Sequence, residues 1–328
     1  MRLRFHAFVL TVALSWGGAA SVSAAYALDY PTRPIRLIVP YVAGGPLDVL
    51  GRLLANGMSG DLNGTVVVEN IAGAGGRVGT AAVAKAEPDG YTIGIGVVAS
   101  LAIGPQLVHT APYDPIKSFT HIGLVTSGTL TVTVNKSVPA KTLGEFVALA
   151  KARPDEISYG SVGVGSLPHM AAELFQRATG TKLRHVPYRG GAASMVDMLA
   201  GRIDATFEMP NVTAVYHREG SLRVLATMDK VRSPALPDVP TTAEAGFKGL
   251  EMDFWAGVIG PANMPPEIAN RLAASIRHVI DQPGFGDSLT AQGLRVHFLP
   301  SGEFVQLIRD ETARWGEVIA GAGIKLSE

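Results

Sequence analysis

Three glycine-bearing stretches hold the residues whose types and spacing could do chemistry. The first runs Val39-Pro40-Tyr41-Val42-Ala43-Gly44-Gly45-Pro46-Leu47-Asp48. It follows a short apolar run, Ile35 to Val39, and leads into apolar residues at helical spacing. A strand, a glycine turn and a helix start aim backbone N–H groups and a positive helix end at one spot. Gly44 and Gly45 allow positive φ and a close approach of backbone to ligand. Pro46 suits the first helical position and places Asp48 at the third. The turn can hold an anion, or it can be a plain strand-to-helix junction. Asp48 itself reads as structural, because a carboxylate there would repel an anion.

The second stretch, Tyr159-Gly160-Ser161-Val162-Gly163-Val164-Gly165-Ser166-Leu167-Pro168-His169, repeats the pattern. Ser161 and Ser166 add hydroxyl donors. Two such loops on facing lobes would clamp an anion from both sides, and a flexible turn is the alternative. His169 can be a base, a ligand contact or a packed helix residue, and packing is favoured because no partner for a catalytic pair is evident. The third stretch, Asn70-Ile71-Ala72-Gly73-Ala74-Gly75-Gly76-Arg77-Val78-Gly79, falls short of a dinucleotide fingerprint. Val78 stands where the third glycine belongs, the stretch follows the second strand, and no acidic strand end lies about 20 residues on. No Walker A sequence occurs. Gly163-Val164-Gly165-Ser166-Leu167 lacks the last glycine of a nucleophile elbow. The eight His are scattered and form no metal motif. Glu208 follows an apolar run and can point into a cleft or stand as an exposed strand end. No cofactor is expected.

Strands and helices must position these loops. Strand-like runs are Ile35–Val39, 66–69, Thr92–Val97, 122–125, Thr131–Asn135, 157–159, 183–186, 205–207 and Leu222–Thr227. Helical stretches lie between them, such as 47–58, 78–86, 143–152, 170–179 and 192–200. This alternation predicts an α/β fold with parallel sheets. A strand at 253–259 precedes Pro261. Two helices come next, over 266–280 and from Ser301. The second carries Phe304, Leu307, Ile308, Trp315, Val318 and Ile319 on one face, so Trp315 reads as core. Ser127-Gly128-Thr129 reads as a link between two strands, and Ser233–Thr242 as a proline-rich loop. Two chain crossings, near 126–131 and 249–256, make the first domain discontinuous: 28–126 plus 256–328, with 127–255 inserted. Ligands of such folds sit at the C-terminal strand ends, in the cleft between lobes.

Composition narrows the function. The 328 residues are 47% hydrophobic and 17% charged with zero formal net charge, which gives no basic field for nucleic acid. Arg2 and Arg4, the apolar stretch Ala7 to Leu14 and Ala25-Tyr26-Ala27 form the layout of a signal peptide over 1–27, cleaved after Ala27 or Ala24. Its apolar part is too short to span a membrane. Its removal leaves 26 basic against 28 acidic residues. The chain has no Cys, which excludes disulfides, thiol catalysis, Cys-ligated metal and a lipoprotein anchor.

The ordered motifs together resemble a family. Tyr30-Pro31-Thr32-Arg33-Pro34-Ile35, Val39-Pro40-Tyr41 with Ala43-Gly44-Gly45 and Asp48, Val68-Glu69-Asn70 and Gly73-Ala74-Gly75-Gly76 come first. Pro88-Asp89-Gly90-Tyr91, Pro112-Tyr113-Asp114-Pro115, Tyr159-Gly160-Ser161, Pro168-His169, His185–Gly190 and Ser233–Thr241 come after them. The sequence resembles the substrate-binding receptors of tripartite tricarboxylate transporters, the Bug family, over nearly the whole mature chain. The resemblance implies a periplasmic receptor with two α/β lobes, of type II-like binding-protein fold, joined by two crossing strands. It implies a small organic acid as ligand and no catalytic activity. One carboxylate would rest on the loop matching Tyr41, Ala43, Gly44 and Gly45, opposite Ser161, Val164, Gly165 and Ser166. Two departures stand out. Phe207-Glu208-Met209 replaces a common Phe-Asp-Asn, whose Asp can contact the far end of the ligand. Val97–Ile103, with Ser100, is more apolar than the hydroxyl-rich segment often found there. Both point to a less polar ligand body, aromatic or branched. The expected partners are this ligand and an inner-membrane permease, or alternatively a sensor kinase. The expected state is a monomer. An exported hydrolase using Ser166 and His169 is the rival reading; it lacks an elbow and an acidic partner.

Overall fold

The first apolar run becomes β1 (Ile35–Val39), and the glycine turn delivers the chain into α1 (Pro46–Asp61). The structure, a computed structural model, describes residues 29–108, 111–188, 190–291 and 293–324. The expected signal peptide and Arg189 lie outside them. Pro31–Glu328 forms one compact unit, which carries both β-sheets.

Next come β2 (Val66–Asn70), α2 (Arg77–Ala84) and β3 (Thr92–Val97). A π-helical turn, Ala99–Ile103, leads on to the long β4 (Phe119–Thr129). One residue later β5 (Thr131–Asn135) opens a second sheet, continued by α3 (Leu143–Ala152), β6 (Ser158–Ser161), α4 (Leu167–Thr179) and β7 (Arg184–Pro187). It is completed by α5 (Gly191–Leu199), β8 (Ala205–Glu208), α6 (Pro210–Arg218) and β9 (Leu222–Thr227). The chain returns as β10 (Asp253–Pro261) and ends with α7 (Pro266–Ile280), α8 (Phe285–Thr290), β11 (Leu294–Pro300) and α9 (Ser301–Ala322).

Six strands form the first sheet, in the order β11-β4-β10-β3-β1-β2, and five form the second, β7-β6-β8-β5-β9. Parallel sheets were expected, but both are mixed. β1 runs parallel to β2 and β3, whereas β10 is antiparallel to β3 and β4, and β11 to β4. In the second sheet β6 is parallel to β7 and β8, and β5 is antiparallel to β8 and β9. The antiparallel pairs arise where the chain passes from one sheet to the other and back. Leu130 is the buried joint between β4 and β5. Its carbonyl accepts the Met228 N–H, and the Met228 carbonyl accepts the Met252 N–H, so outgoing and returning segments are laced by backbone.

Ser127-Gly128-Thr129 is not a link but the end of β4, paired with Trp255, Phe254 and Asp253. Gly128 is there for space. A Cβ on it would meet Leu294 Cδ2 at 2.9 Å and the Gly293 carbonyl at 3.2 Å. The apolar residues of 97–103 are buried core, including Val97, Val98, Leu101, Ala102 and Ile103. That composition therefore reflects packing rather than the ligand. Trp315 is fully buried, as its spacing predicts, and its Nε1–H donates to Glu311 Oε2 at 2.8 Å. α9 also meets the second sheet's layer, where Arg177 of α4 bonds the Glu317 carbonyl.

Candidate functional site

The first glycine turn is held by Asp48. Gly45 caps α1 with extended backbone, Pro46 opens the helix, and Asp48 sits buried in its first turn. Asp48 Oδ2 accepts the Gly44 N–H and Arg52 Nε–H, each at 2.9 Å. Its Oδ1 accepts Asn70 Nδ2–H at 3.0 Å, and the same nitrogen reaches the Tyr41 carbonyl at 3.0 Å. The hydrogen bond from Arg52, with that from Gly44, holds the carboxyl down at about 2. Asp48 is thus an anchored anion that fixes the turn, and Gly44 takes φ of +87°. The Gly44 N–H is taken up inside the loop and Pro46 has none. The amides of Ala43 and Gly45 have no partner among the described residues. Tyr41 is braced from below: its hydroxyl donates to the Gly75 carbonyl at 3.1 Å, and burial pushes it up to about 12. The third glycine stretch, with Gly73, Gly75 and Gly76 at positive φ, is that brace.

Ser100 lies in the turn that ends β3 and is buried. Its hydroxyl donates back to the Val97 carbonyl at 3.3 Å, and its carbonyl accepts the Tyr113 hydroxyl at 2.6 Å.

The second loop folds on its own hydroxyls. Ser161 closes β6, fully buried. Its Oγ accepts the Gly163 N–H at 3.1 Å and lies 2.6 Å from His185 Nε2. Ser166 Oγ donates to the Gly163 carbonyl at 2.6 Å. Gly163 and Gly165 take φ of +118° and +77°. The Gly165 N–H donates to His169 Nδ1 at 3.0 Å. His169 is buried, as a packed helix residue should be, and stacks on His185 with ring centroids 4.2 Å apart. Burial, with His185 alongside, pulls His169 down to about 4, and burial lowers His185 too. Tyr159 stacks on His185 at 4.9 Å and donates its hydroxyl to Glu173 Oε1 at 3.1 Å. Ser166 and His169 therefore form no nucleophile–base pair: one bonds a carbonyl, the other an amide.

Three valines are exposed on these loops, Val42 at 68%, Val162 at 40% and Val164 at 45%. Phe207 is fully buried, edge-on to Tyr159 at 6.0 Å and beside Phe175 at 5.6 Å. Met209 is the cap of α6, with Cε 3.5 Å from where a Gly128 Cβ would stand. Glu208 is half-buried at the end of β8, and its Oε1 is enclosed without a hydrogen-bond partner. The residues missed as supports are Asn70, His185 and Glu173. Each is half-buried and acts from another element, Asn70 on β2, His185 on β7 and Glu173 on α4, which leaves no local spacing signal. Among the described residues no cluster of His, Asp or Glu could hold a metal.

Residues 50–324 match the tripartite tricarboxylate transporter family receptor. The chain belongs to this family. It is 35% identical to the protein BugT of Bordetella pertussis over 94% of both chains. The solved structure of periplasmic binding protein BugD superposes with a TM-score of 0.79 at 32% identity, covering 90% of this chain and 99% of that one. R. palustris Rpa4515 with adipate superposes at 0.81, also at 32% identity over 90% and 99%. The fold is thus the two-lobed periplasmic binding-protein fold, and this receptor is not an enzyme. Receptors of the family are periplasmic solute-binding proteins that work with membrane transporters. No helix among the described residues is long and apolar enough to cross a membrane.

Proposed function

We propose that this receptor is exported by its N-terminal signal peptide, captures a small organic carboxylate between its lobes as a monomer, and delivers it to an inner-membrane permease of the tripartite tricarboxylate type. The observation that carries the reading is the Asp48-anchored turn, which leaves the Ala43 and Gly45 amides without a protein partner at a helix start. A ligand carboxylate receives those N–H groups, and the Ser161–Ser166 loop closes from the other lobe. The lobes are 28–126 with 256–328, and 127–255, and β4 and β10 run across the two joints. The adipate in Rpa4515 supports the ligand class.

The ligand body is apolar, aromatic or branched. Val42, Val162 and Val164 support this, since their exposed side chains sit beside the polar groups that would grip a carboxylate. A thermal-shift screen of mono-, di- and aromatic carboxylates tests both parts. A ligand at 100 times its Kd raises stability by about 2.7 kcal/mol, so a true ligand gives a clear rise in Tm. Absence of any rise across the panel would remove the carboxylate assignment. Short polar dicarboxylates far ahead of aromatic or branched acids would remove the apolar body.

A further inference from the structure

Glu208 ends the central strand β8 at the same end of the second sheet that carries the second glycine loop. The parallel register pairs Tyr159 with Ala205 and Gly160 with Thr206, and β6 then runs through Ser161 into the loop. Glu208 therefore stands one strand over from the start of that loop. Side chains alternate along the strand. Ala205 and Phe207 face Tyr159 and Phe175. Thr206 and Glu208 face the other side, across from Thr133 and Thr131.

That side offers the carboxyl no counter-charge. Thr131 Oγ1 is engaged by Thr133 Oγ1 at 2.8 Å, the Glu208 carbonyl at 2.9 Å and Thr213 Oγ1 at 3.1 Å. β5 has no ionisable side chain, and β6 has only Tyr159, on the opposite face. On α6 the titratable and charged groups are Tyr216, His217 and Arg218, in the last turn and far from the Glu208 end. No ion pair among the described residues includes Glu208. Its Oε1 is enclosed and accepts no hydrogen bond. Burial pushes the carboxyl up to about 7, against the opposing pull of the Met209 amide. A buried acceptor left without a donor is a cost that a bound molecule can remove.

We propose that Glu208 selects the ligand by what it presents away from the first glycine turn: a hydrogen-bond donor is accepted, and a second carboxylate enters only with a proton shared between the two carboxyls. This rests on the carboxylate-receptor reading above. A ligand hydroxyl or ammonium supplies the donor that Oε1 lacks, and Glu208 ionises to receive it. A second carboxylate brings a like charge to the same buried spot, where both cannot stay ionised. One proton then bridges them as a single O–H···O bond. Below pH 7 Glu208 already carries that proton. Above pH 7 it must be taken from solution, and affinity for the dicarboxylate falls by up to about tenfold per pH unit.

Isothermal titration calorimetry of the purified protein tests this with three matched pairs. They are succinate with 4-hydroxybutyrate, glutarate with 5-hydroxypentanoate, and adipate with 6-hydroxyhexanoate, titrated between pH 6 and pH 8.5. The expected result is that dicarboxylate affinity drops at least about tenfold across this range while hydroxy-acid affinity rises to a plateau as Glu208 ionises. Heats measured in buffers of different ionisation enthalpy should count one proton taken up per dicarboxylate at pH 8.5. Glu208→Gln should bind the same dicarboxylate without pH dependence. The proton count uses the wild-type protein alone, so it stands even if the variant folds poorly. A dicarboxylate bound with no proton uptake, or a pH slope kept in Glu208→Gln, overturns the Glu208 proposal alone. If no acid binds the wild type at any pH, the carboxylate reading and this proposal fall together.

Discussion

Asp48 gives both oxygens to protein donors, and that decides what its turn can do. A carboxylate beside an expected anion site is tolerable because Arg52, Asn70 and the Gly44 amide neutralise and fix it. Asp48→Ala should remove these bonds, lower Tm, and cost about 1–3 kcal/mol by chemical denaturation. Ligand affinity should fall with it, because the turn loses its clamp. The sign with pH is that of a depressed acid. Its stabilisation is present above the ordinary carboxylate range and is lost as pH falls towards about 2. His169 works in a different window. It is kept neutral down to about 4, so the unfolded chain binds a proton more readily between pH 6.5 and pH 4. Tm should therefore decline as pH drops through that window, and His169→Gln should flatten the decline. An equally steep decline in the variant would contradict this account of the His169–His185 stack.

At the scale of elements, the sequence discloses local structure well and pairing poorly. β1, β3, β5 and β9 match their apolar runs; Pro34 and Pro40 bound β1, and turns with Gly90 and Gly220 precede β3 and β9. β11 is missed because it is a partly exposed edge strand with Arg295 and His297 among its apolar residues. α6 is missed because it is short, nine residues of which Asn211, Thr213, His217 and Arg218 are polar, although Pro210 opens it as Pro46 and Pro266 open α1 and α7. The direction of β10 against β4 cannot be read from either strand, since pairing depends on residues over a hundred positions apart. Phe207 is a candidate site residue by resemblance alone, and strand alternation turns its ring into the core. Gly128 is the instructive error. Read as a turn glycine, it is a packing glycine under Leu294. Gly128→Ala should strain β4 against β11 and cost about 1–3 kcal/mol, measured as a lower denaturation midpoint. No change in midpoint would mean that Leu294 yields freely.

The whole molecule is two mixed sheets sharing buried crossing segments, with a glycine loop from each sheet carrying exposed valines. Both loops are legible in the sequence because glycine, proline and serine at strand ends are local signals. Their internal wiring is not, because Asn70, His185 and Glu173 act across strands. If the crossing segments act as a hinge, a ligand should draw the lobes together. Small-angle scattering should then give a smaller radius of gyration with ligand than without, and an unchanged radius would argue for a preformed closed site. The central claim is narrower and can be tested directly by solving the complex with the best carboxylate from the thermal screen. The account predicts a carboxylate oxygen within hydrogen-bond distance, about 3 Å, of the Ala43 or Gly45 nitrogen, with the Ser161–Ser166 loop across from it. A ligand bound with its carboxylate away from the Tyr41–Gly45 turn would contradict it.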